Sequence, residues 1–179
     1  MTTLSNITKK IQKRNCTNDV FFTPLLLAKQ HLEYVEKYID QQDVILDGFF
    51  GKGAYFKQFE TVFKKNNTFD YTEILMGLDF MDYNKKVDVI VSNPPYSIMD
   101  KVLEKSVALK PHTISYLIGQ NNLTCKRIEY MNSFGYFLDK LHYTKIYKWF
   151  GMSLITIFTN KVSKNCIDFD RTVWREDKI

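Results

Sequence analysis

Val87-Asp88-Val89-Ile90-Val91-Ser92-Asn93-Pro94-Pro95-Tyr96-Ser97 is the stretch on which the reading of this chain turns. Its first half is an apolar, β-branched run with the length of a buried strand. Two prolines then end it, because each lacks an amide donor and fixes the backbone. Asn93 precedes a proline and is pushed toward an extended conformation. The product is a stiff elbow at a strand's C-terminal end, carrying an amide side chain, the Pro94 carbonyl and the Tyr96 ring. These groups suit an exocyclic amine held flat against a ring, with two acceptors for its hydrogens. The same four residues also read as a structural Asx-Pro turn capped by a tyrosine, so the surroundings must weigh between the two.

Downstream, residues 98–109 read as a helix, 113–118 as a strand and 126–132 as a helix. Residues 142–148 and 154–159 alternate in a way that suits a terminal antiparallel hairpin. Upstream, Thr23 is placed as an N-cap with Pro24 at the first helical position, opening a helix that runs to about residue 39. Residues 44–46 form a short strand that enters the glycine-rich turn Asp47-Gly48-Phe49-Phe50-Gly51-Lys52-Gly53. Residues 54–65 read as a helix with Phe56, Phe59 and Phe63 on one face. A second strand is expected over 68–74 and a third short strand or loop over 76–80. Alternating strands and helices imply a mostly parallel α/β sheet with helices on both faces. In such sheets ligands bind beyond the strands' C-terminal ends, and the punctuated motifs fall there.

Composition narrows the function classes. At 179 residues the chain is expected to be one domain, with 1–20 a basic arm, 21–162 the catalytic domain and 163–179 a polar tail. A net charge of +5 permits nucleic-acid binding without demanding it, and some of the 11 tyrosines and 14 phenylalanines could stack on bases. Cys16, Cys125 and Cys166 are widely spaced, and His31, His112 and His142 do not cluster with them; no metal site is expected. Three unpaired cysteines and an N-terminus without an apolar core point to a cytoplasmic or other reducing intracellular location rather than secretion. No apolar run is long enough for a membrane span. The glycine turn lacks the P-loop pattern, and its pyrophosphate fingerprint is incomplete, which disfavours a hydride-transfer enzyme. Glu73 lies 20 residues after Gly53 (73 − 53), where an acid reads ribose hydroxyls in nucleoside-binding sheets.

Taken in order, these motifs resemble those of the class I S-adenosylmethionine-dependent amino-methyltransferases of the adenine-N6 type. Phe22-Thr23-Pro24 is similar to that family's N-terminal cofactor motif. Leu46-Asp47-Gly48-Phe49-Phe50-Gly51-Lys52-Gly53 resembles its first glycine-rich motif. Glu73 matches its ribose-binding acid, and Asp79-Phe80 the pair flanking the cofactor adenine. Asn93-Pro94-Pro95-Tyr96 matches its catalytic motif, and Trp149-Phe150-Gly151 resembles a later aromatic motif at the target base. The likeness spans roughly residues 21 to 160.

The resemblance implies a Rossmann-like class I methyltransferase fold with a seven-stranded sheet. It implies S-adenosyl-L-methionine as cofactor and methylation of adenine N6 in nucleic acid, with DNA slightly favoured over RNA. Tyr96, Trp149 and Phe150 would meet the target base. Gly48 departs from the pattern, standing where proline is common. The length leaves no room for a large target-recognition region, so a protein partner or second copy is expected to supply recognition. Two alternatives remain: N5-methylation of a protein glutamine, and a non-catalytic subunit of this fold that scaffolds a nucleic-acid-modifying complex.

Overall fold

The computed structural model describes residues 21–63, 66–146, 149 and 151–168. The expected basic arm, Phe150 and the end of the tail lie outside these residues. Six strands form one sheet: β1 (Val44–Asp47), β2 (Thr68–Tyr71), β3 (Val89–Ser92), β4 (Thr113–Gly119), β5 (Phe137–Thr144) and β6 (Ser153–Thr159). They lie in the order β2-β1-β3-β4-β6-β5. The first four run parallel, and β6 is antiparallel to both β4 and β5. Helices α1 (Leu25–Glu36), α2 (Ala54–Val62), α3 (Met99–Ala108) and α4 (Cys125–Ser133) complete the layers.

Period-2 alternation distributes the strand residues between two cores. Ile45, Val89 and Val91 face Ala28, Leu32 and Val35 of α1 and Tyr55 and Phe59 of α2. Leu46 and Ile90 face the other way, into a core with Val102 and Leu103 of α3 and Ile128 and Met131 of α4. The helices therefore cover both faces, as expected. Among the described residues no helix is long and apolar enough to cross a membrane.

Three expectations need correction. Among the described residues the sheet has six strands rather than seven, because residues 74–82 form two short 3-10 turns, Ile74–Met76 and Phe80–Asp82, joined through Gly77 at φ 77°. A single bridge, Glu73 to Leu78, is all the pairing that segment makes. The hairpin's first strand starts at Phe137, not 142; a register shift between Leu138 and Lys140 interrupts the alternation that would have marked it. Thr23 does not cap α1: Pro24 is the N-cap and no side chain caps that end.

Candidate functional site

The chain leaves β1 for β2 on one side and returns to β3 on the other, so the strand order reverses between β1 and β3. That is the crevice where open α/β sheets bind ligands. Asp47 ends β1 there and is fully buried. Its Oδ1 accepts from the Ser92 hydroxyl at the end of β3 and from the Phe49 amide at 3.2 Å. The Ser92 Oγ also accepts from Phe49 N at 3.1 Å, so one hydroxyl ties the two strand ends together. Asp47 Oδ2 is buried without a hydrogen-bond partner. Burial pushes the carboxyl up to about 7, against the lowering pull of the Ser92 and Phe49 donors, and the Glu73 charge adds to the rise.

The glycine turn is held from β2. Gly51 N donates to Glu73 Oε2 at 2.6 Å, and Leu75 N donates to Glu73 Oε1 at 3.2 Å. Gly53 opens α2 at φ 70°, and a Cβ there would meet the Phe50 ring at 2.7 Å, so only glycine fits. Gly48 answers to packing: a Cβ would lie 2.7 Å from the Phe80 ring. Phe80 is itself buried, against Phe49 at 5.0 Å between ring centroids. Phe80 thus supports the turn from beneath, and Asp79 caps its own short turn by accepting from Met81 N at 2.9 Å. The Phe22 ring covers Gly51 and carries Lys52 Nζ 4.2 Å above its centroid. Pro24 is exposed at the start of α1.

Asn93 follows β3 beside this cluster. Its Nδ2 spends both hydrogens, one on the Phe21 carbonyl at 2.7 Å and one on Thr23 Oγ1 at 3.2 Å. Its Oδ1 is buried and has no partner. Pro94 is buried and Pro95 half-buried, which fixes the elbow. The Tyr96 ring stacks with Phe21 at 5.8 Å and 23° between planes. Phe21 in turn meets Trp149 at 5.0 Å. Lys145 Nζ donates to the Trp149 carbonyl at 2.8 Å.

The structure thus brings Thr23, Asp47, Gly51, Glu73, Asn93, Tyr96 and Trp149 to one sheet edge through these contacts. Ser92 and Phe21 take part in the same network and were not singled out from the sequence for it. Ser92 could have been found from its place between a strand and Asn93; Phe21 could have been found as the aromatic preceding Phe22-Thr23-Pro24.

No family model matches the sequence, and no curated protein matches it. Solved structures do resemble it. The precorrin-6y C5,15-methyltransferase from Geobacter metallireducens aligns with a TM-score of 0.59 at 11% identity, over 82% of this chain and 94% of that one. The methyltransferase subunit of a type I restriction-modification system from Streptococcus thermophilus aligns at 0.55 and 13%, over 78% of this chain and 44% of that one. The human methyltransferase 10 domain containing protein aligns at 0.53 and 16%, over 78% and 84%. At these identities the likeness is one of fold, and that fold is the Rossmann-like fold of the methyltransferases.

Proposed function

We propose that this chain is an S-adenosylmethionine-dependent methyltransferase acting on the N6 amine of adenine in DNA or RNA, with a partner or second copy supplying target recognition. The observation that carries the reading is Asn93 Oδ1. It is a buried acceptor without a partner, on an amide whose two hydrogens are already committed elsewhere. A buried carbonyl oxygen left in that state is costly unless a donor arrives. An amine hydrogen is such a donor, and the Pro94 carbonyl offers a second acceptor on the same elbow. Accepting both hydrogens draws the amine nitrogen toward tetrahedral geometry and frees its lone pair. Tyr96 supplies a stacking platform, and Trp149 lies in the same aromatic row. In duplex substrate the base must leave the stack.

The residues present fit the cofactor. S-adenosylmethionine carries an ammonium and a sulfonium, and the orphaned, buried Asp47 Oδ2 belongs to a carboxyl that a bound cation would draw into its ionised form. In this reading the turn over Phe49, Gly51 and Gly53 offers backbone to the cofactor, Glu73 offers a carboxylate for ribose hydroxyls, and Phe22, Thr23, Pro24 and Asp79 are its further contacts. When bound, the cofactor supplies a methyl group on an electrophilic sulfonium. Catalysis by this chain is then positioning plus preorganised acceptors.

The reading is tested by incubating the protein with labelled S-adenosylmethionine and separate DNA, RNA and protein pools, then digesting any labelled pool. Label on adenine N6 supports it; label on a glutamine amide replaces it. A separate expectation concerns Glu73→Ala, which removes the ribose acceptor and releases the Gly51 amide. Calorimetry should show cofactor affinity weakened by about 1.5–3 kcal/mol, the scale of a charge-assisted hydrogen bond. Unchanged affinity in a folded variant rejects the assignment.

A further inference from the structure

Ser92 is the last residue of β3 and has no exposed surface. A serine hydroxyl has one hydrogen to give and lone pairs with which to accept. The Ser92 hydrogen goes to Asp47 Oδ1 at 2.5 Å. Its oxygen accepts from the Phe49 amide at 3.1 Å, and the same amide reaches Asp47 Oδ1 at 3.2 Å. A hydroxyl, an amide and a carboxylate oxygen thus close a small ring between the ends of β3 and β1. Oδ1 receives two donors and Oδ2 none, so the two oxygens of this buried carboxyl are not equivalent. A proton taken up by the carboxyl belongs on Oδ2, and a cation that replaces the proton belongs there too. A carboxyl free to turn would offer either oxygen.

We propose that Ser92 is a positioning residue for the cofactor: it holds Asp47 by Oδ1 and so reserves Oδ2 for the cofactor's cationic group. The proposal rests on the reading of this crevice as a site for S-adenosylmethionine. Ser92 acts in two ways. It fixes the direction of the carboxyl, and as a donor it favours the ionised form that a cation needs, against burial and the Glu73 charge. Tyr55 on α2 and Tyr116 on β4 also interact electrostatically with Asp47; burial raises the pKa of both, so they stay neutral. Behind Tyr55, at 2.9 Å, lies His31 on α1, neutral because burial lowers its pKa to about 3. Asn93 follows Ser92 directly, so the strand end that steadies the cation's anchor also carries the proposed acceptor for the amine.

Two measurements test this. Carbon-detected NMR follows the Asp47 carboxyl through its titration in the cofactor-free protein. The midpoint is expected near 7 in the wild type and higher in Ser92→Ala, which takes a donor from the ionised form. Equal midpoints would mean that Ser92 does not hold the carboxyl, and would overturn the proposal. Calorimetry then compares S-adenosylmethionine affinity between wild type and Ser92→Ala from pH 6 to pH 8. The variant should bind about tenfold more weakly at pH 6, the scale of one hydrogen bond to a charged group. The gap should narrow toward pH 8, where Asp47 ionises in both proteins. The ratio is taken at each pH, so titration of the cofactor's own amine cancels. A gap that stays constant with pH marks a merely structural role, and no gap marks none; either result overturns the proposal. The narrowing should vanish when both proteins carry Asp47→Asn. Ser92→Cys refills the space with a weaker donor, should fall between the two, and serves where the alanine variant does not fold. Should the wild-type protein bind no S-adenosylmethionine, the functional reading fails, while the NMR midpoints still decide whether Ser92 holds Asp47.

Discussion

Asn93→Ala should slow methyl transfer by roughly 100-fold or more while leaving cofactor affinity near wild type. The rate effect is the scale for removing one preorganised polar contact from a transition state. The cofactor keeps its proposed contacts on the β1 turn and Glu73, which are tied to each other through Gly51; only the Phe22-Thr23-Pro24 segment loses a tie to Asn93. The fold should survive, since the lost partners are the carbonyl of the exposed Phe21 and the hydroxyl of the half-buried Thr23. Tyr96→Ala should fail differently. It removes a platform worth about 1–3 kcal/mol per stacked base, so target binding weakens together with rate. Tyr96→Phe keeps the ring and should cost little. Single-turnover kinetics separate these outcomes, and wild-type transfer by Asn93→Ala would reduce the elbow to a structural turn.

A second large effect should appear as a pH dependence. Asp47 has its pKa raised from 3.8 to about 7, so in the folded protein it holds a proton that the unfolded chain has released. The stability this contributes is complete below about pH 4 and is lost as pH rises to about 7, a span worth on the order of 4 kcal/mol. His31 acts in the opposite sense: with its pKa lowered to about 3, it removes stability as pH falls from about 6.5. The two windows overlap, so the wild-type curve alone conceals both. The difference between wild type and Asp47→Asn isolates Asp47 and should tilt toward the variant by that amount between pH 4 and 8. An unpaired amide nitrogen in the variant adds only a pH-independent offset. Chemical denaturation across that range measures the tilt, and parallel curves would mean that Asp47 ionises normally. A cationic cofactor should also expel the Asp47 proton on binding. Calorimetry at pH 6 in buffers of different ionisation enthalpy should detect release of most of one proton, absent in Asp47→Asn.

What the sequence made legible was punctuation. One proline pair, a glycine turn and short β-branched runs located the ends of β1 and β3, where Asp47 closes the first strand and Asn93 follows the second. Hydrophobicity misled where it was not matched by burial. Ile74, Leu75 and Met76 look like strand residues, yet all three are exposed around a turn that ends in left-handed Gly77. Thr23-Pro24 has the local form of a helix cap, but the hydroxyl serves Asn93, 70 residues away. His31 stood alone in the sequence because its partners Tyr55 and Ser115 are 24 and 84 residues distant. Periodicity reports one face of one element; pairings between elements leave no such mark.

The insertion of β6 between β4 and β5 has a consequence for biosynthesis. Order along the sheet is not order of synthesis there: β5 emerges first, yet its neighbour in the sheet is the later strand. Until residues 153–159 are made, β4 presents an unpaired edge of mostly buried-type residues, Thr113 through Ile118, and β5 has nothing to pair with. The pairing that closes this gap joins Thr113 to Thr159, 46 residues apart. Closing contacts of such separation is slow, and open strand edges invite association with other chains during the wait. The nascent protein is therefore most vulnerable to aggregation late, when all but one of its strands already exist.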